Sequence, residues 1–234
     1  MDIRLEEIVT VPEMGRSLIA HDPRSFAFPA AGFLTIPGLP RVHRTWRRGP
    51  AYDQGRTSSC VGQTFRGILN SSPHTSLVRL LFRAKYDGVT FYNGGQQFDQ
   101  WPGAEPEYYG TSALGVCKYL QNQGIIKEYR WCFGADEVID TLCQHGPVAI
   151  GIKWYDQMMK TDANGYITPG GRLVGGHEVE LHGVEKDKKY VVGTNSWGTK
   201  WGISSGRFKM TWDTLDLLLN DDGDAVTVVE VVNR

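Results

Sequence analysis

The chain has 234 residues, of which 41% are hydrophobic and 22% are charged, the proportions of an ordinary globular protein. The formal net charge is −1, so the overall charge offers no general attraction to nucleic acid or to an anionic membrane. No run of about 18 apolar residues occurs, and no membrane-spanning helix is expected. The length allows one domain or two small lobes that share an interface.

The first 50 residues are rich in proline and glycine and show little hydrophobic periodicity, which predicts extended chain with turns. The charged start of the chain lacks the apolar segment of a secretory signal, and we expect a cytoplasmic protein. Basic residues cluster near the end of this segment. We interpret them as a solvated surface strip, because a nucleic-acid site would need interleaved aromatic residues and more positive charge elsewhere. The strip consists of Arg41, His43, Arg44, Arg47 and Arg48.

Helices are predicted mainly in the first half of the chain. Apolar residues at helical spacing predict a helix over residues 60–70, and Ser58 or Ser59 could cap its first turn. Similar patterns predict helices over residues 75–86 and from about residue 112 to Gly124. A short helix over residues 136–144 then leads into the second half.

Strands are predicted mainly in the second half. Short apolar or alternating segments bounded by turn residues are typical of strands. They cover residues 148–152, 177–181, 190–193, 207–210 and 225–232, with a helix over residues 212–219 before the last strand. Helices followed by strands predict an α+β fold with two lobes.

The four cysteines are Cys60, Cys117, Cys132 and Cys143, and none forms a CxxC pair. This usage predicts reduced thiols, although one disulfide among the last three stays open. A zinc site built from Cys132, Cys143 and His145 would have poor spacing and would lack a fourth ligand. No metal site and no cofactor are predicted.

One set of polar residues has the properties of a cysteine nucleophile and its partners. A thiol attacks as the thiolate, so it needs a base, a group that orients the base, and donors for the developing oxyanion. Cys60 begins a predicted helix, whose N-terminus favours a negative sulfur. His177 follows two glycines on a predicted strand, and Asn195 follows the next strand. Gln54 could donate to an oxyanion together with the Cys60 N–H.

Three segments resemble the papain family of cysteine peptidases. Residues 53–60 (DQGRTSSC) resemble its nucleophile segment, residues 176–179 (GHEV) its histidine strand, and residues 195–202 (NSWGTKWG) its asparagine segment. The resemblance extends over about residues 46–212. It implies a two-lobed fold in which a helical lobe faces an antiparallel, β-rich and barrel-like lobe across the active-site cleft.

The resemblance also implies a domain division. Residues 1–48 would form an N-terminal arm or short leader, residues 49–128 the helical lobe and residues 129–234 the β-rich lobe. The compact form resembles bacterial and phage members of the family, which leaves host cytoplasm or a virion open as a location. Thr57 stands where the family usually has a disulfide-forming cysteine, which fits a reducing compartment.

The catalytic roles follow from the resemblance. It implies that Cys60 is the nucleophile and that His177 is the general base and later the acid. Asn195 would accept the ring N–H of His177. Gln54 and the Cys60 N–H would form the oxyanion hole. Trp197 would cover the hydrogen bond between His177 and Asn195.

The substrate-binding residues also follow from the resemblance. Trp201 would line the leaving-group side of the cleft. Gly110 and Thr111 occupy the positions of two glycines that let the substrate backbone lie close. Glu178 replaces a small residue that faces a specificity pocket, which predicts a preference for a polar or basic substrate side chain.

The resemblance implies hydrolysis of a peptide bond through an acyl-thioester on Cys60, without a cofactor. The partner would be a protein or peptide substrate, with no role for nucleic acid or membrane, and the oligomeric state is open. Two alternatives remain at this stage. The same residues could cleave peptidoglycan cross-links or an isopeptide bond, or the chain could be a structural or binding pseudo-enzyme.

Overall fold

The computed structural model describes residues 23–36, 38–74 and 87–231. The helices in this part of the chain are α1 (Cys60–Asn70), α2 (Gly88–Gln96), α3 (Ala113–Asn122), α4 (Ala135–Gln144) and α5 (Trp212–Asn220). The strands are β1 (Arg44–Thr45), β2 (Ile126–Trp131), β3 (Val148–Tyr155), β4 (Leu173–Glu185), β5 (Tyr190–Thr194), β6 (Arg207–Thr211) and β7 (Asp224–Val231). Two 3₁₀-helices cover Pro23–Ala27 and Asp156–Met159.

The seven strands form one antiparallel sheet in the order β2-β7-β3-β4-β5-β6, and β1 pairs with β4. The predicted combination of helices with an antiparallel sheet is therefore confirmed. Strands β2 and β6 end the order without pairing with each other in the described residues. The sheet is thus open, which corrects the barrel-like closure expected from the sequence.

Strong apolar periodicity predicted several elements well. The predicted helices over residues 60–70, 112–124 and 136–144 correspond to α1, α3 and α4, and Ser112 caps α3 by accepting from the Gly115 N–H. The predicted helix over residues 75–86 lies outside the described residues. Helix α2 and strand β2 were not predicted. Helix α2 contains three glycines, which lower helix propensity, so its stability comes from packing rather than from its own sequence.

Helices cover both faces of the sheet. One apolar cluster joins α1 and α3 to β2 and β7, and a second joins α4 and α5 to the opposite face of the sheet. Side chains alternate between the two faces along a strand. On β3, Ala149 belongs to the first cluster while Val148 and Ile150 belong to the second. The domain boundaries expected from the sequence stay a prediction.

Helices α1 and α2 approach each other closely at Gly62. A β-carbon at this position would lie 2.7 Å from the Tyr92 backbone nitrogen and would also overlap the Gly88 carbonyl oxygen. Backbone atoms on both helices cannot yield as a flexible side chain would. Only glycine fits this contact.

We predict that Gly62→Ala lowers the free energy of unfolding by about 1–3 kcal/mol, because the methyl group forces the helices apart. Urea unfolding measures the change. Asn93→Ala on the exposed side of α2 is the matched control and should change stability by no more than about 0.5 kcal/mol. Equal effects of the two substitutions would contradict the close approach.

Two histidines outside the proposed catalytic set are buried. His74 is 6% exposed, and burial together with the nearby His145 lowers its pKa to about 4. His182 is 1% exposed, and burial followed by the charges of Arg48 and Arg207 lowers its pKa to about 3. Both side chains therefore resist protonation in the folded protein more than in the unfolded chain.

A buried glutamate has the opposite effect. Glu180 is 3% exposed, and burial raises its pKa to about 7, although a hydrogen bond from Ser71 and the charge of Arg48 oppose the rise. The folded protein therefore holds a proton on Glu180 that the unfolded chain would release. This contribution to stability is lost as the pH rises through 7.

We predict that the free energy of unfolding falls as the pH is lowered from about 6.5 to 4, because the unfolded chain then takes up more protons than the folded protein. The two histidines outweigh Glu180 in this range. His182→Asn should reduce the slope of the free energy of unfolding against pH by the equivalent of about one bound proton, and Glu180→Gln should increase it. Urea unfolding across this pH range measures both slopes. A slope that His182→Asn leaves unchanged would contradict the burial of a neutral histidine.

Candidate active site

Helix α1 places Cys60 at its first position. The sulfur lies at the positive end of the helix dipole, where the first N–H groups have no partner within the helix. Ser59 occupies the N-cap position, but its hydroxyl makes no capping bond and lies 2.7 Å from the Thr57 hydroxyl instead. Capping by the Ser59 hydroxyl, one of the two serines considered from the sequence, is therefore wrong. The helix end remains a favourable place for a thiolate.

Strand β4 carries His177, whose ring Nε2 lies 2.8 Å from the Asn195 Oδ1. The same Oδ1 accepts the Ser196 backbone N–H at 2.7 Å, which identifies it as an oxygen that accepts. The His177 Nε2 must then be the protonated nitrogen and donate to Asn195. Within the described residues, the other ring nitrogen, Nδ1, makes no hydrogen bond. This is the tautomer in which Nδ1 can accept a proton.

A side-chain hydrogen bond attaches α1 to β4 beside His177. The Thr64 hydroxyl donates to the Glu178 carbonyl oxygen at 3.0 Å. Thr64 lies one turn after Cys60 on the same face of α1, because residues four apart on a helix are neighbours. The helix face that carries Cys60 therefore packs against the part of β4 that carries His177.

Residues 52–54, here called the bridging segment, join the sequence before Cys60 to the sequence after Asn195. The Gln54 N–H donates to the Ser196 carbonyl at 2.8 Å, and the Gly198 N–H donates to the Tyr52 carbonyl at 3.0 Å. These two bonds form a short antiparallel ladder between segments more than 140 residues apart in the chain. The ladder fixes the spacing between the two halves of the candidate site.

The Gln54 side chain is held at both ends of its amide. Its Oε1 accepts the Ser196 hydroxyl at 2.7 Å, and its Nε2 donates to the Thr57 carbonyl at 3.0 Å. An amide nitrogen carries two donors in one plane, so these bonds also set the direction of the second N–H. Gln54 is 3% exposed. Sequence reasoning found Gln54 but missed Ser196, whose only signal was its place directly after Asn195.

Two tryptophans enclose the His177 ring. The ring centroid of Trp197 lies 4.9 Å from that of His177 with 32° between the planes, and Trp154 lies 4.8 Å away at 77°. The role of Trp197 as a cover over the hydrogen bond to Asn195 stays a prediction. The structure places Trp154 against the ring, fully buried.

Trp201 extends this aromatic group. Its ring packs edge-on against Trp197 at 5.4 Å, and its Nε1 donates to the Met159 carbonyl at 2.8 Å. Trp201 is partly exposed, so one side of the ring can contact solvent or a ligand. Its place on the leaving-group side stays a prediction.

Burial dominates the electrostatics of His177. The side chain is 0% exposed, and burial lowers its pKa to about 4, while the hydrogen bond to Asn195 raises it in part. The imidazole is therefore neutral at neutral pH and can take a proton from a thiol. A thiolate formed beside the ring would in turn favour the imidazolium.

Two of the other cysteines, Cys117 and Cys132, lack these properties. Burial raises the pKa of Cys117 well above its ordinary value and raises that of Cys132 to about 12. Such thiols are poor nucleophiles at neutral pH. No disulfide joins the four cysteines in the structure, so the pairing left open by the sequence is not present.

Three of the four predicted substrate-binding residues, Gly110, Thr111 and Glu178, are buried. Gly110 has φ +103°, which favours glycine, and the Thr111 hydroxyl donates to the Asp99 carboxylate at 2.9 Å. Glu178 is 0% exposed and lies close enough to Cys117 for its charge to raise the pKa of that thiol. Their contacts with substrate stay predictions. Cys60 and His177 are also 0% exposed, so a substrate can reach them only if covering groups move.

Residues 23–36, 38–74 and 87–231 contain no group of three or more histidine, cysteine or acidic side chains placed to bind a metal ion. The residues considered for zinc have other contacts. Cys132 lies 3.3 Å from the Thr141 hydroxyl, and His145 lies 3.1 Å from the Val228 carbonyl. In the same part of the chain no helix is long and apolar enough to cross a membrane.

Comparison with known sequences identifies relatives of this chain. The profile of the papain family cysteine proteases matches residues 92–217, which include His177 and Asn195 and begin after Cys60. The chain is 33% identical over 101 residues to cathepsin B-like cysteine proteinase 6 of Caenorhabditis elegans, covering 42% of this chain and 23% of the relative. It is 28% identical over 124 residues to cathepsin B-like cysteine proteinase 3 of Ostertagia ostertagi, covering 46% and 71%. The match spans about a quarter of the length of the first curated relatives.

Comparison with solved structures supports the fold. Procathepsin B S9 from Trypanosoma congolense aligns over 94% of this chain and 87% of its own, with a TM-score of 0.61 and 13% identity. The bromelain protease from Ananas comosus, solved with the E64 inhibitor, aligns over 82% and 100%, with a TM-score of 0.55 and 14% identity. The fold agrees with the family profile, which covers more than half of the chain. The chain therefore belongs to the papain family of cysteine proteases.

Proposed function

We propose that this chain is a cysteine endopeptidase that hydrolyses peptide bonds through an acyl-thioester on Cys60. The observation that carries the proposal is the orientation of His177. Its Nε2–H donates to Asn195, and Nδ1 makes no hydrogen bond in the described residues. A base in this tautomer, packed beside a helix that begins with a cysteine, suits proton transfer from a thiol.

The first step of the proposed reaction removes the thiol proton. His177 Nδ1 takes the proton from Cys60, and the sulfur attacks the carbonyl carbon of the scissile peptide bond. The buried position of His177 disfavours a lone imidazolium, so charge separation depends on the thiolate and on the dipole of α1. Asn195 keeps the ring in one orientation during the transfer.

The second requirement is stabilisation of the oxyanion. The Gln54 amide, held by Ser196 and Thr57, and the Cys60 N–H would donate to the oxygen as it becomes negative. Donors fixed before the reaction cost little reorganisation when the charge develops. The imidazolium then gives its proton to the leaving amine, and water hydrolyses the thioester with His177 acting again as base.

Family membership supports a peptide or protein as the substrate class. Relatives that match this chain are described as cysteine proteinases, and one structural neighbour was solved with an inhibitor bound. The predicted substrate positions Gly110, Thr111, Glu178 and Trp201 belong to this proposal. A cell-wall or isopeptide amide would use the same chemistry and is an outcome of the test below.

We predict that the purified chain cleaves an unfolded protein substrate and that Cys60→Ala lowers kcat/KM by at least about 10³-fold, because no other residue supplies the nucleophile. Mass spectrometry of the products measures cleavage and its sites. Cys132→Ala is the matched control and should retain activity, since burial keeps that thiol protonated. His177→Ala should lose activity to a similar degree as Cys60→Ala.

Two results would contradict the proposal. Cleavage that continues unchanged in Cys60→Ala would exclude Cys60 as the nucleophile. Release of peptides from purified cell wall by the wild-type chain, with no cleavage of unfolded protein, would retain the nucleophile and overturn the substrate class.

A further inference from the structure

A cavity of about 850 Å³ lies between α1, the segment that follows β1, and the loop before β6. On α1 it is lined by Arg66 and Asn70. At 1.5 Å per residue, these positions lie roughly 9–15 Å along the helix axis from Cys60. None of the proposed catalytic residues lines the cavity, so it is a separate site. Its volume is in the range of small-molecule binding sites.

The cavity is strongly basic. Among the described residues it has no acidic side chain in its lining. Four arginines line it from distant parts of the sequence: Arg47, Arg48, Arg66 and Arg207. Guanidinium groups present several N–H donors in a rigid plane and bind phosphate or carboxylate oxygens in pairs.

Two of these arginines are held close together. The Arg48 Nη2 donates to the Ser204 carbonyl at 3.2 Å, and the Arg207 Nε donates to the same oxygen at 3.2 Å. After burial, the charge of Arg207 is the main reason that the pKa of Arg48 is lowered. Two positive charges that share one carbonyl oxygen repel each other, and a bound anion would reduce the repulsion.

The opposing charge that acts on Arg48 is weak. Glu180 is the carboxyl group that acts on Arg48, but burial raises the pKa of Glu180 to about 7, and its Oε1 accepts the Ser71 hydroxyl at 2.6 Å. Arg66 stacks over the Tyr52 ring at 4.1 Å, and the Asp87 carboxylate, which does not line the cavity, also interacts with its charge. The positive charge of the cavity is therefore only partly neutralised by the described part of the protein.

A buried histidine provides an independent indication of a ligand. His182 lines the cavity and is 1% exposed. Neither ring nitrogen has a partner at normal hydrogen-bond distance and angle in the described residues, although the backbones of His182 and Trp46 lie close enough to raise its pKa in part. Its pairing on β4 is irregular between Leu181 and Gly183, and its carbonyl accepts the Trp46 N–H at 2.8 Å. Buried polar groups in proteins are nearly always paired. One ring N–H directed at a bound anion would satisfy this requirement.

We propose that this cavity binds a compact, multivalent oxyanion, with Arg48, Arg66 and Arg207 as its charged contacts and His182 as a neutral donor. Phosphate and carboxylate groups share the required chemistry. The site changes the interpretation of the basic strip near the N-terminus. Arg41 in that strip forms ion pairs with Asp136 and Asp140, whereas Arg47 and Arg48 line the cavity.

Isothermal titration calorimetry of the full chain tests the proposal, with sodium tripolyphosphate and citrate as separate probes at about 0.15 M salt. We expect saturable binding of one probe molecule per chain. Arg48→Gln and Arg66→Gln should each weaken it about tenfold or more, because each removes charged hydrogen bonds. Arg172→Gln removes the same charge from an exposed position outside the cavity and should leave the affinity unchanged. Preference for one probe identifies phosphate or carboxylate as the natural chemistry.

Three outcomes would overturn the proposal: no saturable binding of either probe, affinity unchanged in both cavity variants, or an equal loss in Arg172→Gln. Circular dichroism of each variant shows whether it is folded, and Arg48→Lys serves as a second variant that keeps the charge and removes the paired donors. An increase in the melting temperature of the wild-type chain on adding the preferred probe, absent in Arg66→Gln, would support binding to the folded protein. Binding does not require catalysis, so failure here leaves the proposed peptidase activity untouched.

Discussion

The proposed chemistry depends on one hydrogen bond, from the His177 Nε2–H to the Asn195 Oδ1 at 2.8 Å. A histidine ring has two nitrogens, and only one of the two neutral tautomers leaves Nδ1 able to accept a proton. The Ser196 N–H selects that tautomer indirectly, because it donates to the same Oδ1 and thereby fixes which end of the Asn195 amide faces the ring. Trp154 and Trp197 enclose the ring, and the resulting burial keeps the imidazole neutral.

Long-range hydrogen bonds fix the position of Cys60 relative to His177 and Asn195. The bridging segment pairs with residues 196–198, and Thr64 ties α1 to β4 beside His177. Ser196 belongs to both halves of the site, since its backbone orients Asn195 and its hydroxyl holds Gln54. The proposed base and the proposed oxyanion donor are therefore positioned by the same residue. The cavity proposed to bind an oxyanion is lined by Arg66 and Asn70 near the C-terminal end of the same helix, so α1 contributes to both sites.

Three helices and four candidate site residues could be predicted from local sequence patterns. Apolar periodicity predicted α1, α3 and α4, and short motifs identified Gln54, Cys60, His177 and Asn195 as candidates. Helix α2 was missed because its glycines oppose a helix in isolation, and packing against Gly62 on α1 stabilises it instead. The open sheet, the role of Ser196 and the convergence of four arginines each depend on contacts between segments far apart in the chain. No local pattern contains that information.

The most direct test of this account is ¹⁵N NMR of the His177 side chain in the folded protein at neutral pH. The signal is assigned by its loss in His177→Asn. The account predicts that Nε2 carries a proton, whether the ring is neutral or is paired with a thiolate. A neutral ring with the proton on Nδ1 and none on Nε2 would contradict it, because Asn195 would then not accept from His177 and Nδ1 could not serve as the base.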